Sequence, residues 1–210
     1  MAHTTITPSA SVEFTLPLPL YTAIKIASMH DADNEEFEIF IGADRSIAEK
    51  VKARSLDDSD ADLQSNTSDR KRFGGGSYEE WYSKNRTPFT LVHAAMGDLA
   101  AFVWFGPKPL GRKSLKYLSE EELAKELQQK EEVWHTLVYR SYLPYRGKGL
   151  MGDFVRFAIK TYREKYPEAK LWVGGRADNA ASFGLAERLG FKAREDLFDA
   201  EKNWKAMTLE

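Results

Sequence analysis

The residues whose types and spacing point most directly to chemistry are Tyr145-Arg146-Gly147-Lys148-Gly149-Leu150-Met151-Gly152. An apolar-alternating run from Val133 to Tyr142 leads into this stretch, and a strongly helical run from Asp153 to Tyr166 leaves it. A strand that ends in a glycine-rich turn and opens a helix is an anion site. The first N–H groups of the helix have no intrahelical acceptor, the macrodipole adds about half a positive charge, and glycines let a phosphate approach the backbone. Arg146 and Lys148 add side-chain cations at the same place. The stretch is therefore expected to cradle a pyrophosphate.

The Walker pattern G-x-x-x-x-G-K-S/T cannot be laid over the turn, and the dinucleotide fingerprint G-x-G-x-x-G is set aside. The pattern R-x-x-G-x-G/A does fit, as Arg146-Gly147-Lys148-Gly149-Leu150-Met151, with Met151 departing at the last position. Downstream, Lys170-Leu171-Trp172-Val173 reads as a short strand, and Arg176 to Phe191 follows with Asn179 as a helix N-cap and Gly190 as the left-handed residue past its end. Two motifs in this order and spacing resemble the GNAT superfamily of acyl-CoA-dependent N-acyltransferases. The resemblance spans about Tyr21 to Leu209 and is tight from Val133 to Phe191. It implies an α/β (α+β) fold: a mixed, mostly antiparallel sheet flanked by helices, with two central strands splayed.

Composition narrows the classes. Twelve Phe, nine Tyr and five Trp in 210 residues can fill a core. With 30 basic against 32 acidic side chains, no long-range field recruits nucleic acid or an anionic membrane. The absence of cysteine removes disulfides, thiolate metal sites and an acyl-cysteine intermediate. No apolar run approaches the ~20 residues of a spanning helix, and Met1 to Ala10 lacks the basic start of a signal peptide, so a cytoplasmic protein is expected.

Along the chain, residues 1–20 read as an N-terminal extension, with Val12 to Leu16 pairing at a sheet edge, and 21–210 as a single domain. Tyr21 to Ala27 is the expected first strand. Asp33 and Glu36 spell a capping box, which predicts a helix carrying Phe37, Phe40 and Ile41 on one face. A second helix is expected over Ser46 to Arg54. Asp57 to Gly76 is poor in apolar residues and reads as a mobile surface loop. Within it, Asp58-x-Asp60-x-Asp62 imitates a calcium loop, but Leu63 stands where glycine is required and Asp69 where glutamate is, so a solvated acidic loop without metal is expected. Arg70 to Gly76 reads as a flexible linker, and the aromatics Tyr78, Trp81 and Tyr82 as a helix face on the core or along an acceptor pocket. Thr90 to Ala95 and Leu99 to Phe105 form a hairpin. Residues 106–132 read as an insertion with a capped helix from Ser119, and Phe191 to Phe198 and Asn203 to Leu209 as the last two strands.

The resemblance implies acetyl-CoA as co-substrate, with no metal, and direct attack of an amine on the thioester. The backbone of Arg146, Gly147, Lys148, Gly149, Leu150 and Met151 would hold the pyrophosphate. The pantetheine arm would run along Tyr139 to Leu143, beside Ser141, Tyr142 and Leu143, and meet Asn179, with Ser182 in the same helix start. An alkylammonium of pKa about 10 must lose a proton before attack. Glu132 at the mouth of the central strand and His135 on it are the candidate bases, with His93 on the preceding hairpin. The tyrosine that the family commonly places seven residues after the asparagine, to protonate the leaving thiolate, is replaced here by Ala186. Tyr145, Tyr142 or water stands in as candidate acid, and a tyrosine restored at 186 is expected to raise turnover. The acceptor is expected to be a small-molecule or peptide amine, and a homodimer is compatible with the sequence. The alternatives are a non-catalytic acyl-CoA sensor on the same fold and a nucleotide-binding regulatory domain.

Overall fold

Alternation of buried and exposed side chains, rather than helical spacing, governs residues 23–42. The structure is a computed structural model that describes residues 4–10, 12–111 and 134–210. Strand β1 (Thr5–Pro8) pairs antiparallel with β2 (Ala23–His30), which pairs antiparallel with β3 (Glu36–Gly42). The edge strand is thus Thr5–Pro8 and not Val12 to Leu16, which lie outside any strand. The helix expected after Asp33 is β3 instead. Phe37, Ile39 and Ile41 are fully buried on one face at period two. The capping role belongs to Asp31, whose Oδ1 accepts the N–H groups of Asp33 and Glu35 at 2.9 Å each, while Asn34 takes φ 62° in the turn.

Helix α1 (Arg45–Leu56) starts at Asp44, whose carboxylate accepts the Ile47 N–H at 2.8 Å. The segment expected to be a mobile acidic loop is ordered structure: α2 (Ala61–Asn66) is followed by a π-helical turn over Arg70–Gly74. Asp60 and Asp69 are buried there rather than solvated, and Leu63 and Phe73 enter the core, so Arg70 to Gly76 is no linker. Helix α3 (Tyr78–Tyr82) then leads to β4 (Thr87–His93) and β5 (Leu99–Pro107), an antiparallel hairpin. Trp81 packs edge-on against Phe73 at 5.3 Å and against Trp104 at 5.6 Å, so the aromatics of α3 serve the core.

The remaining elements are β6 (Trp134–Ser141), α4 (Leu150–Lys165), β7 (Lys170–Arg176), α5 (Ala180–Arg188), β8 (Lys192–Ala193), a 3-10 turn at Glu195–Leu197 and β9 (Trp204–Leu209). The expected strand from Phe191 to Phe198 is therefore only two residues long before the chain turns. The helix expected from Ser119, like Glu132, lies outside the described residues. Strand order is β1-β2-β3-β4-β5-β6-β7-β9-β8. The β6–β7 ladder is parallel and stops at Thr136↔Trp172, although β6 runs on to Ser141 and β7 to Arg176. The other described ladders are antiparallel, giving a mixed, mostly antiparallel sheet.

The chain divides into two compact units. The first, Met1–Phe105 with Val138–Lys165, holds β1 to β4, most of β5, the end of β6 and α1 to α4. One of its cores gathers Ile47, Val51, Phe73, Trp81, Phe102, Trp104 and Tyr142. In the same unit, Phe105 stacks on Tyr162 of α4 at 4.2 Å, and Phe154, Val155 and Ala158 of that helix are fully buried. The second unit, Gly106–Leu137 with Tyr166–Glu210, holds the start of β6, β7, α5, β8 and β9. Leu171, Trp172 and Val173 of β7, Leu137 of β6 and Ala206 and Met207 of β9 are among its buried strand residues, and Phe183, Leu185 and Ala186 form the buried face of α5.

Candidate functional site

Strand β6 hands over to α4 through residues 142–149, and the turn is fastened on both sides within the first unit. Tyr145 is buried, lies edge-on to Phe37 at 5.7 Å, tilts against His93 at 5.7 Å and directs its hydroxyl to Asp98 Oδ2 at 3.4 Å. Burial, and then Asp98, hold its phenol above the ordinary tyrosine pKa. His93 is committed as well: its Nδ1 accepts the Met96 N–H at 3.2 Å, which leaves Nε2 to donate to Glu35 at 2.6 Å. Tyr145 and His93 thus brace the turn from below. Tyr142 is buried with its pKa raised, burial being the main cause and Asp69 the next.

Arg146 is fastened by its side chain. Its guanidinium donates from Nη1 to Asp60 Oδ1 at 2.8 Å, from Nη2 to Asp60 Oδ2 at 2.6 Å, and from Nη2 and Nε to the Ser141 carbonyl at 2.8 and 3.2 Å. The charge that the sequence offers as a phosphate contact is therefore engaged with a buried carboxylate, whereas Lys148 is exposed.

The backbone presents the cradle. The N–H groups of Tyr145, Arg146 and Lys148 are used inside the turn, on the carbonyls of Tyr142, Tyr142 and Tyr145. Helix geometry leaves the N–H groups of the first turn of α4, Leu150, Met151 and Gly152 among them, without an intrahelical acceptor. Gly147 and Gly149 stand at φ 84° and 80°, left-handed values that alternate along the chain and turn successive amides into a concave nest. A Cβ built at Gly147, Gly149 or Gly152 would meet nothing within 4 Å. That open shelf over free amides fits a diphosphate. Met151, at the position where the pattern asks for a small residue, is half-buried. Leu143, on the expected path of a pantetheine arm, leaves 39% of its surface exposed.

Gly147, Gly149 and Gly152 do stand at G-x-G-x-x-G spacing, so spacing alone does not dismiss a dinucleotide fold. The sheet does. A doubly wound fold needs a mostly parallel sheet, and here β6–β7 is the one parallel ladder among the described residues.

The second unit holds the other expected residues. His135 is buried on β6 with its ring edge-on to Tyr166 at 5.7 Å. Asn179 caps α5, its Oδ1 accepting the Ser182 N–H at 3.1 Å, and Gly190 takes φ 93° past the helix end. Ala186 is completely buried, and its carbonyl accepts the Phe191 N–H at 3.0 Å. A tyrosine cannot be added there without displacing neighbours. Ala186→Tyr is expected to lower stability by about 1–3 kcal/mol and to leave turnover no higher, as read by thermal melting alongside an activity assay. Among the described residues no cluster of His, Asp or Glu is arranged to hold a metal ion, and no helix is long and apolar enough to cross a membrane.

No protein-family model matches the sequence, and no curated protein matches it. Solved structures match over most of the chain. The GNAT domain of an S. lividans protein superposes with TM-score 0.56 at 10% identity, covering 89% of this chain and 96% of its own. A ribosomal-protein-S5-alanine acetyltransferase from Vibrio fischeri gives 0.54 at 12% identity over 82% and 92%. A ribosomal L7/L12 alpha-N-protein acetyltransferase in complex with coenzyme A gives 0.52 at 14% identity over 81% and 93%. The fold is that of the GNAT N-acetyltransferases.

Proposed function

We propose that the protein transfers an acetyl or other short acyl group from acyl-CoA to a primary amine by direct attack. The observation that carries this reading is the open glycine nest at the start of α4, on a fold shared with solved structures that include acetyltransferases, one of them in complex with coenzyme A. The amides of Gly147, Gly149 and the first turn of α4 would take the diphosphate, with Lys148 adding charge at the rim. The thioester supplies an activated acyl carbon. A new C–N bond forms to the amine as the C–S bond breaks, and the amine's proton leaves to a base. Backbone N–H groups of β6 are the donors suited to a developing oxyanion. His135, buried on β6, is one candidate base; Glu132 is the other. Tyr145 is better suited to bracing the turn than to proton transfer, because its hydroxyl already faces a carboxylate. With Ala186 buried and no tyrosine there, the thiolate leaves unaided. A thiol of pKa about 8.5 is a workable leaving group.

The test is release of free CoA from acetyl-CoA across a panel of small amines and peptide N-termini, run beside calorimetric binding of CoA. Turnover on any acceptor supports the transferase. Tight binding of acetyl-CoA with no turnover on every acceptor would move the reading to a sensor on the same fold, and no binding would end both.

A further inference from the structure

We propose that Asp60 is a positioning residue for the diphosphate turn and that Arg146 works as its partner, facing away from the ligand. The inference rests on the acyl-CoA reading above and adds to it a device contributed by residues 57–76.

The geometry is specific. The side chain of Asp60 is only 3% exposed, yet it satisfies three groups. Oδ1 accepts the Leu63 N–H at 3.0 Å and so caps α2, while the two oxygens together take both terminal nitrogens of Arg146. The same guanidinium clasps the carbonyl of Ser141, five residues back, through two further nitrogens-to-oxygen bonds. One planar cation therefore closes the chain from the last residue of β6 to the residue before Gly147. A planar fork is suited to this and an ammonium is not, since four contacts are made at fixed angles. Nine residues on, Asp69 repeats the arrangement on Arg140, with bonds of 2.5 and 3.1 Å. The two buried carboxylates thus bracket Ser141 to Tyr145 between them.

Two roles for Arg146 predict different couplings. If it contacts phosphate directly, freeing it from Asp60 leaves that contact intact or strengthens it. If it shapes the turn, Asp60 and Arg146 are one unit, and losing either has the same effect as losing both. The arrangement favours the second role, because four contacts of the guanidinium go to the Asp60 carboxylate and the Ser141 carbonyl and a fifth, at 3.5 Å, reaches Asp62, while the nest beside it is built from amides.

The experiment is a double-variant cycle read by calorimetric titration with CoA and by acetyl-CoA kinetics. Asp60→Asn keeps an N-cap acceptor for α2 and loses the charged fork. Arg146→Lys keeps the charge and loses the planar clasp. Each single variant is expected to weaken CoA about tenfold, a loss of about 1.4 kcal/mol, and the pair together no more than that. KM for acetyl-CoA should rise by a larger factor than kcat falls, and KM for S-acetylpantetheine, which lacks the diphosphate, should rise less than KM for acetyl-CoA. A general loss of folded protein would lower kcat instead. Affinity unchanged or tighter in Asp60→Asn, or a multiplicative loss of about a hundredfold in the pair, overturns the proposal while the acyl-CoA reading stands. Failure of the parent protein to bind CoA at all removes both.

Discussion

Asp69→Ala is expected to cost about 3–5 kcal/mol of folding stability, the largest loss predicted for a single polar side chain in the first unit. The Asp69 side chain is 2% exposed and holds two guanidinium groups: Arg140, through Nε at 2.5 Å and Nη2 at 3.1 Å, and Arg72 of the π-helical turn. Both arginines lie over the Trp104 ring, at 5.0 and 5.5 Å from its centroid. Alanine would remove the carboxylate from Arg140, whose side chain is 15% exposed, and from Arg72. The cost arises from that orphaned charge rather than from the pair's own attraction, because burying two ions already offsets most of what they gain from each other. Urea denaturation at neutral pH reads the loss. An acid series adds a second signature. Burial alone would raise the Asp69 pKa, but Arg140 and Arg72 outweigh it and hold the carboxyl below the ordinary aspartate range. A depressed native pKa contributes stability that is fully present above the unfolded value of about 3.9 and is lost as pH falls through the native one. The parent should therefore weaken with acid across that window, and Asp69→Asn should show a flatter profile there. Parallel profiles would mean that the pair contributes nothing to the acid sensitivity.

This pair also explains why part of the fold was legible in the sequence and part was not. Helices α4 and α5 are written locally: a buried stripe of Phe154, Val155, Ala158 and Tyr162, an asparagine cap, a glycine past the end. Strand β6 and its glycine turn are equally local. Residues 57–76 are fixed by partners 71 and 86 positions away, through Asp69 to Arg140 and Asp60 to Arg146. Hydrophobic periodicity has no means of seeing a segment whose anchors are charges. Its two aspartates look like solvated residues until their arginines are placed. Strand β3 failed for a different reason. Asp33 and Glu36 match the spacing of a capping box, but Asp31 had already turned the chain, and the alternation of Phe37, Ile39 and Ile41 was the stronger signal. At the site, the spacing of Gly147, Gly149 and Gly152 was visible, but the direction of Arg146 was not, since nothing in the motif tells a phosphate contact from a clasp on the backbone.

The double variant Gly147→Ala with Gly149→Ala is expected to separate stability from affinity. Both residues sit at φ near 80°, where an L side chain costs about 1–2 kcal/mol each, so the protein should lose a few kcal/mol at most. Beyond its immediate chain neighbours, neither new methyl meets an atom within 4 Å, so the packing itself raises no objection. What the methyls occupy is the space over the amides. A hydrogen bond to a charged group contributes about 1.5–3 kcal/mol, and two such bonds prevented from closing correspond to a loss of about a hundredfold or more in CoA affinity. The same variant should process S-acetylpantetheine at the parent's rate, because that substrate places nothing on the nest. Calorimetry and a melting curve on one preparation measure both sides of this comparison. A variant that melts early but binds CoA as before would show that the glycines serve only the turn, and the diphosphate would then have to rest elsewhere. A variant that keeps its fold and loses CoA, yet still acylates amines from the short thioester, ties the nest to the diphosphate and the chemistry to the strand that precedes it.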